Sequence, residues 1–473
     1  FEMLNSNIAF TLCQMLTSGA VEALEAHASE AQKEKYLRQI ISGNWSATMN
    51  LTEPQAGSDV GAVKTKAEPQ PDGTYKIYGT KIYITYGDHD MAENIIHLVL
   101  ARTPGAPEGT KGISLFIVPK FFVNDDGSLG DRNDVKCIGL EDKLGIHASP
   151  TCVMSFGEND GAVGWLIGAE NTGMAAMFTM MNNARLNVGI QGVGLAEQAT
   201  QIAMSYAADR LQGRAPDAER GDNTPVPIAT HPDVRNMLMT MRSLTDAARA
   251  ICYENGVFHD LAHFGGDEKA KAFNDLLTPV SKAFSTDIAN EVSSLGVQIH
   301  GGMGFIEETG IAQFSRDAKI LPIYEGTNGI QAIDLINRKL PLANGAIISE
   351  YLAQIEETIT QCAEEETLKE LSSALKSGFN DLHAATDFML THPNNLDRLY
   401  GATDYLTLFG LVAGGHYLAR GALGTLKTNE MTHKVKTAKF FMDRLLPRTK
   451  SYLASILSSK EHLDNEEIFH IVG

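Results

Sequence analysis

Apolar and polar residues follow two different periods along this chain, and each change of period marks a block. Residues 1 to about 43 place apolar side chains at helical spacing among strong helix formers, as in Val21-Glu22-Ala23-Leu24, Lys35-Tyr36-Leu37 and Ile40-Ile41. Ser42-Gly43-Asn44 ends that block, with Gly43 placed to cap a helix C-terminus. From Trp45 to about Trp165 the segments are short, β-branched or aromatic, and interrupted by Gly, Pro and Asp. Thr74–Tyr78 and Lys81–Thr85 alternate as half-buried strands do, across a turn at Pro71-Asp72-Gly73. Ile95–Leu100 and Ile113–Val118 are more evenly apolar, the pattern of central strands.

The helical period returns after Asn171-Thr172-Gly173. The spacing predicts long helices over 174–210, 231–264 and 269–295, with a loop over 212–230 where Pro216, Pro225 and Pro227 fall. From about 347 to 463 the pattern is helical again, with a break at Thr391-His392-Pro393-Asn394-Asn395, and no repeat of fixed period is present. Helices and strands are segregated, which makes the expected class α+β rather than alternating α/β. The expected division is 1–44 helical, 45–166 β, 167–342 helical and 343–473 a further helical extension.

Composition narrows the partners more than the fold. A chain of 473 residues exceeds one compact core. Apolar residues at 43 % and charged residues at 21 % are ordinary for a soluble globular protein. No apolar run approaches the length of a membrane span, so none is expected. Phe1-Glu2-Met3-Leu4-Asn5 shows no signal-peptide pattern, and a start other than Met leaves a truncated N-terminus open. The five cysteines lack metal or disulfide spacing, so no metal is expected and a reducing cytoplasm is. A net charge of −19 repels phosphates, so nucleic acid is not an expected partner.

Four segments carry candidate chemistry. Gly189-Ile190-Gln191-Gly192-Val193-Gly194 lies inside a helical stretch with no strand before it, so helix packing through small residues is expected rather than dinucleotide binding. His300-Gly301-Gly302-Met303-Gly304 has no G-x-S-x-G partner, which argues against a hydrolase, but its glycines let amides approach a ligand. Thr52–Asp59, after a short strand, is either a plain polar turn or a loop of amides and hydroxyls facing a heterocycle. Glu325, in Ile323-Tyr324-Glu325-Gly326-Thr327, is either an aid to a helix N-terminus or, in an apolar pocket, a general base. The residues themselves leave both readings open.

Thr52–Asp59, Gly79–Thr85, Gly112–Pro119, Gln298–Phe305, and Arg316–Ile320 leading into Ile323–Thr327 together resemble the acyl-CoA dehydrogenase family, with matches in order and spacing from about residue 20 to Leu340. The resemblance implies helical N-terminal, central β-barrel-like and C-terminal four-helix domains, with FAD in the cleft between them. It places Leu51, Thr52 and Ser58 on one side of the flavin ring and Tyr83, Ile84 and Thr85 on another. Arg210 would reach the FAD pyrophosphate of a neighbouring subunit, with Gln298, Gly301 and Gly302 at its adenosine half and Thr327 and Gly329 near the phosphates. Ser58, Asn182, Arg185 and Gly326 would contact acyl-CoA. Glu325 would take the α-proton while hydride passes to the flavin, and an electron-transferring flavoprotein would be the acceptor.

The inter-subunit contacts imply a homodimer or homotetramer, and the family a place in fatty acid metabolism. The ending after 345, with Met49–Gln55 and Glu325–Gln331, further resembles long members acting on 3-methylmercaptopropionyl-CoA or fatty acyl-CoA. Two departures stand beside this: only 51 residues precede Thr52, and Arg210-Leu211-Gln212-Gly213-Arg214 lacks the Phe of the family's R-x-x-F-G. The competing class is a DNA-associated alkylation-response flavoprotein. That would need a basic extension, for which Lys434, Lys436, Lys439, Arg444 and Arg448 are set against Glu364-Glu365-Glu366.

Overall fold

The structure, a computed structural model, describes residues 2–428 and 432–458. The chain divides into two compact units, Asn7–Asn187 and Phe1–Ser6 with Val188–Gly473.

The first unit opens with helices α1 (Ile8–His27) and α2 (Glu30–Ile41). They part at Ala28-Ser29 because the Ser29 hydroxyl and the Gln32 side chain cap α2 reciprocally. Ten strands follow: β1 (Trp45–Asn50), β2 (Lys66–Pro69), β3 (Tyr75–Thr85), β4 (Asn94–Ala101), β5 (Ser114–Pro119), β6 (Phe121–Val123), β7 (Leu129–Arg132), β8 (Val135–Leu140), β9 (Thr151–Phe156) and β10 (Ala162–Ile167).

Eight of them form one sheet in the order β1-β4-β5-β10-β3-β9-β8, with β2 also on β3. β1 and β4 run parallel and the other pairs antiparallel. β1 and β8 end the pairing path as edges, so the sheet of the described strands is open and no closed barrel is seen among them. The evenly apolar strands are the central ones. Every residue of β4 and β5 is buried, and Val99, Phe116 and Val118 enter a core with Ile77, Ile84 and Phe156. Helix α3 (Gly173–Asp209) begins in this unit.

The second unit takes α3 from Val188 onward. The expected loop after it holds a small hairpin, β11 (Leu211–Arg214) with β12 (Pro225–Pro227). Then come α4 (Pro232–His263), α5 (Glu268–His300), α6 (Ile311–Ala318) and α7 (Asn328–Asp334). Helix α5 outruns its expected end at 295 by five residues, as far as His300 before Gly301 turns the chain at φ +60°. The extension adds α8 (Ala346–Glu364), α9 (Lys369–Thr391), α10 (Asn395–Tyr400), α11 (Ala402–Thr428), α12 (Thr432–Arg444) and α13 (Thr449–Ile456). It shares one core with the bundle: Ile251, Leu277 and Val280 lie in the same buried cluster as Tyr351, Leu375, Phe409 and Phe441.

The glycine run of α3 packs as expected. A Cβ on Gly189 would stand 2.8 Å from the Ser281 carbonyl oxygen of α5, and one on Gly192 2.6 Å from that of Ser285. Among the described residues no helix is long and apolar enough to cross a membrane. Of the basic cluster, Lys439 faces Glu370 at 4.0 Å and Arg448 pairs with Glu291 at 2.9 Å.

Candidate active site

In the sheet unit, the loop after β1 is fastened to β3 from beneath. The Thr52 carbonyl accepts from the Ile82 amide at 2.9 Å, and the Leu51 carbonyl from Lys81 Nζ at 3.1 Å. The buried Glu53 carboxylate accepts from Lys81 Nζ (2.8 Å), the Thr65 amide (3.0 Å) and Thr65 Oγ1 (2.5 Å) on Oε1. Its Oε2 accepts from the Lys64 amide (2.7 Å) and Gln55 Nε2 (2.6 Å). Burial alone would raise its carboxyl, but the Lys81 charge and these donors outweigh it and hold it at about 2. Burial pulls the Lys81 ammonium down to about 8 against the attraction of Glu53, so both groups are charged at neutral pH.

Glu53 and Lys81 are therefore framework. What the loop offers outward is Ser58, exposed, with Leu51 and Thr52 half-buried. Pairing of β3 with β9 shifts register between Lys81 and Ile84. There Tyr83 takes φ +59° and turns its ring out, 60 % exposed. The Ile84 side chain enters the core and its carbonyl accepts from the Gly87 amide at 3.3 Å, while Thr85 is half-buried. On α3, Asn182 is exposed and Arg185 buried.

In the helical unit the expected residues fall in two places. Tyr206 stacks on His300 with centroids 4.1 Å apart, which joins the end of α3 to the end of α5. Arg210 stands four residues beyond that stack with an exposed guanidinium, and its Nη2 donates to Gln212 Oε1 at 3.3 Å. Gln298 is exposed at the end of α5, and its carbonyl accepts the Gly301 amide. Added Cβ atoms at Gly301 and Gly302 would meet nothing within 4 Å, so the backbone is bare there.

The second place is the turn from α6 to α7. The Tyr324 amide donates to the Ile320 carbonyl at 3.1 Å and the Asn328 amide to that of Pro322 at 2.9 Å, closing the turn. Glu325 has φ +55° and Gly326 φ +85°, both left-handed. Thr327 is the N-cap of α7, its Oγ1 accepting from the Ile330 amide at 3.2 Å. That assigns capping to Thr327 and leaves Glu325 two residues outside the helix. Burial, and then the Glu325 charge, push the Tyr324 phenol well above its ordinary range.

Asn328 staples the turn to α5, its Oδ1 accepting from Lys282 Nζ at 2.8 Å and its Nδ2 donating to Asp287 Oδ1 at 2.8 Å. Two glutamines absent from the expected site also reach the turn. Tyr324 Oη donates to Gln191 Oε1 at 2.5 Å, and Gln331 Nε2 donates to the Gly326 carbonyl at 3.4 Å. The available signal for Gln191 is a lone amide within the small and apolar run Val188-Gly189-Ile190-Gln191-Gly192-Val193.

Three family models match the chain: acyl-CoA dehydrogenase middle domain over 48–158, acyl-CoA dehydrogenase C-terminal domain over 171–340, and acetyl-CoA dehydrogenase C-terminal like over 351–464. The 3-methylmercaptopropionyl-CoA dehydrogenase of Ruegeria pomeroyi is 49 % identical over 435 residues, covering 89 % of this chain and 72 % of that protein. Among solved structures, Caenorhabditis elegans ACDH-11 in complex with C11-CoA shares the fold at TM-score 0.80 and 21 % identity, over 98 % of this chain and 76 % of that one. Bacillus anthracis acyl-CoA dehydrogenase complexed with FAD does so at 0.72 and 23 %, over 90 % and 71 %. With 49 % identity across most of both chains, and family models spanning middle and C-terminal domains alike, this chain belongs to the acyl-CoA dehydrogenase family.

Proposed function

We propose that this chain catalyses the FAD-dependent α,β-dehydrogenation of an acyl-CoA thioester, with Glu325 as the base that removes the α-proton. The observation that carries the reading is the left-handed backbone of Glu325, a carboxylate outside the capped helix in a turn fastened on every side. Non-glycine residues adopt that conformation at a cost, and such strain clusters where geometry serves chemistry.

The residues fit FAD. An outward tyrosine ring suits a flat heterocycle, an exposed arginine suits a diphosphate, and bare glycine backbone leaves room for an adenosine. Leu51, Thr52, Ser58, Tyr83, Thr85 and the Ile84 backbone would hold the ring, Arg210 the pyrophosphate, Gln298, Gly301 and Gly302 the adenosine, and Thr327 and Gly329 the phosphates. When bound, FAD supplies a two-electron acceptor for the β-hydrogen. Ser58, Asn182, Arg185 and Gly326 would position acyl-CoA so that its α-carbon meets Glu325.

The relative from Ruegeria pomeroyi favours 3-methylmercaptopropionyl-CoA as the substrate over a plain fatty acyl-CoA. An electron-transferring flavoprotein takes the electrons, and the protein works as a homodimer or homotetramer in the cytoplasm. The domain division 1–44, 45–166, 167–342 and 343–473 accompanies this reading, supported by the ranges of the family models.

The test is anaerobic titration of the purified flavoprotein with a panel of acyl-CoAs, following the loss of oxidised-flavin absorbance. The thioether substrate should bleach it fastest. Failure of every thioester would sink the proposal.

A further inference from the structure

Two fully buried glutamines grip the residues on either side of Glu325. Gln191 of α3 accepts the Tyr324 hydroxyl at 2.5 Å, and Gln331 of α7 donates to the Gly326 carbonyl at 3.4 Å. The other ends of both amides, Gln191 Nε2 and Gln331 Oε1, are buried with no hydrogen-bond partner among the described residues. Each amide is therefore half-satisfied: one end pairs a polar group of the turn, and the other is stranded in the interior at a cost to stability.

A left-handed glutamate persists only where its surroundings over-determine it. The backbone bonds at Ile320 and Pro322 close the turn, but they leave the Tyr324 ring and the Gly326 carbonyl to be fixed from outside. Gln191 does so from a stiff platform, because Gly189 and Gly192 on its own helix lie against the backbone of α5. The Tyr324 phenol, pushed up by burial and by the Glu325 charge, stays a donor throughout the working range.

We infer that Gln191 and Gln331 are positioning residues that hold Glu325 in its left-handed turn, so that its carboxylate meets the substrate α-carbon in one orientation. The inference rests on Glu325 being the base.

The experiment compares Gln191→Leu, Gln331→Leu and the double variant with the wild type, as purified flavoproteins. Anaerobic rapid mixing with acyl-CoA should show flavin reduction slowed about tenfold in each single variant and about a hundredfold in the double, the size expected when a reacting group is misplaced by an ångström. Substrate Kd should change less than about twofold, because a positioning defect separates rate from binding. Melting temperature should fall only slightly, since losing the partner of the Tyr324 hydroxyl or the Gly326 carbonyl is offset in part by losing a stranded amide end, and hydrogen exchange at the amides of 323–327 should quicken.

Wild-type reduction rates with unchanged exchange would overturn the inference. So would a fall in melting temperature and flavin content that tracks the lost activity, which would make the pair structural. If no thioester reduces even the wild type while exchange still quickens in the variants, the Glu325 reading fails, and the clamp then holds a turn without a base.

Discussion

Glu53 and Glu325 sit in the two most family-like phrases of the chain, each beside a glycine-bearing turn, and the structure holds them in opposite ways. Glu53 lies in the loop after β1 with five donors on its carboxylate, one of them a buried lysine. Nothing of it is left over for a ligand. Glu325 lies in a turn whose backbone is left-handed, whose capping duty has passed to Thr327, and whose neighbours are held by buried amides. The difference teaches that a motif carboxylate is sorted by accounting for its donors and its backbone, not by its surroundings in sequence.

Exchanging the two glutamates for glutamine should break the comparison most sharply. Glu325→Gln should slow flavin reduction by acyl-CoA by about a thousandfold, within the range for losing a general base, while melting stays near wild type. Normal reduction by that variant, measured by anaerobic stopped flow, would refute the base assignment.

Glu53→Gln or Lys81→Met should do the reverse, lowering stability by about 3–5 kcal/mol because a buried charge is left without its partner. Denaturant unfolding measures this. The double variant Glu53→Gln with Lys81→Met should recover part of the loss, since no charge is then stranded and the glutamine oxygen can still accept from Thr65.

A smaller effect separates the platform from the turn it supports. Gly192→Ala puts a Cβ 2.6 Å from the Ser285 carbonyl and should cost about 1–3 kcal/mol by overpacking. Because α3 carries Gln191, flavin reduction should slow as well. Loss of stability without a change in rate would show that the platform need not be stiff.

A further effect is in acid. The Glu53 carboxyl sits at about 2 when folded, below its ordinary value of 4.5, so its contribution is complete above about 4.5 and lost as pH falls toward 2. The stability gap between wild type and Glu53→Gln should therefore narrow as pH is lowered through that window, as followed by melting temperature. A constant gap would mean that the donors around Glu53 do not favour its charged form.

Much of this architecture was legible along the chain. The helical and strand blocks, the central character of β4 and β5, and the break between α9 and α10 all follow from apolar period and turn residues. The glycine run of α3 was readable as packing because it lay inside a helical period with no strand before it. What the period did not carry was closure. Alternation describes which face a strand buries, and an open sheet and a barrel bury the same faces, so the edges at β1 and β8 appear only in the pairing.

The site divides in the same way. The residue types that suit the chemistry, Glu325 above all, are determined by the sequence, because family-like spacing carries them as a set. Which of them are framework was decided by tertiary structure, since a buried ion pair between Glu53 and Lys81 joins residues 28 apart and no local pattern announces it. The same holds for Gln191, which meets Tyr324 across 133 residues. Hydrogen bonds act over about 3 Å of space whatever the separation in sequence. The chain itself names the carboxylate, and the packed fold alone decides what holds it still.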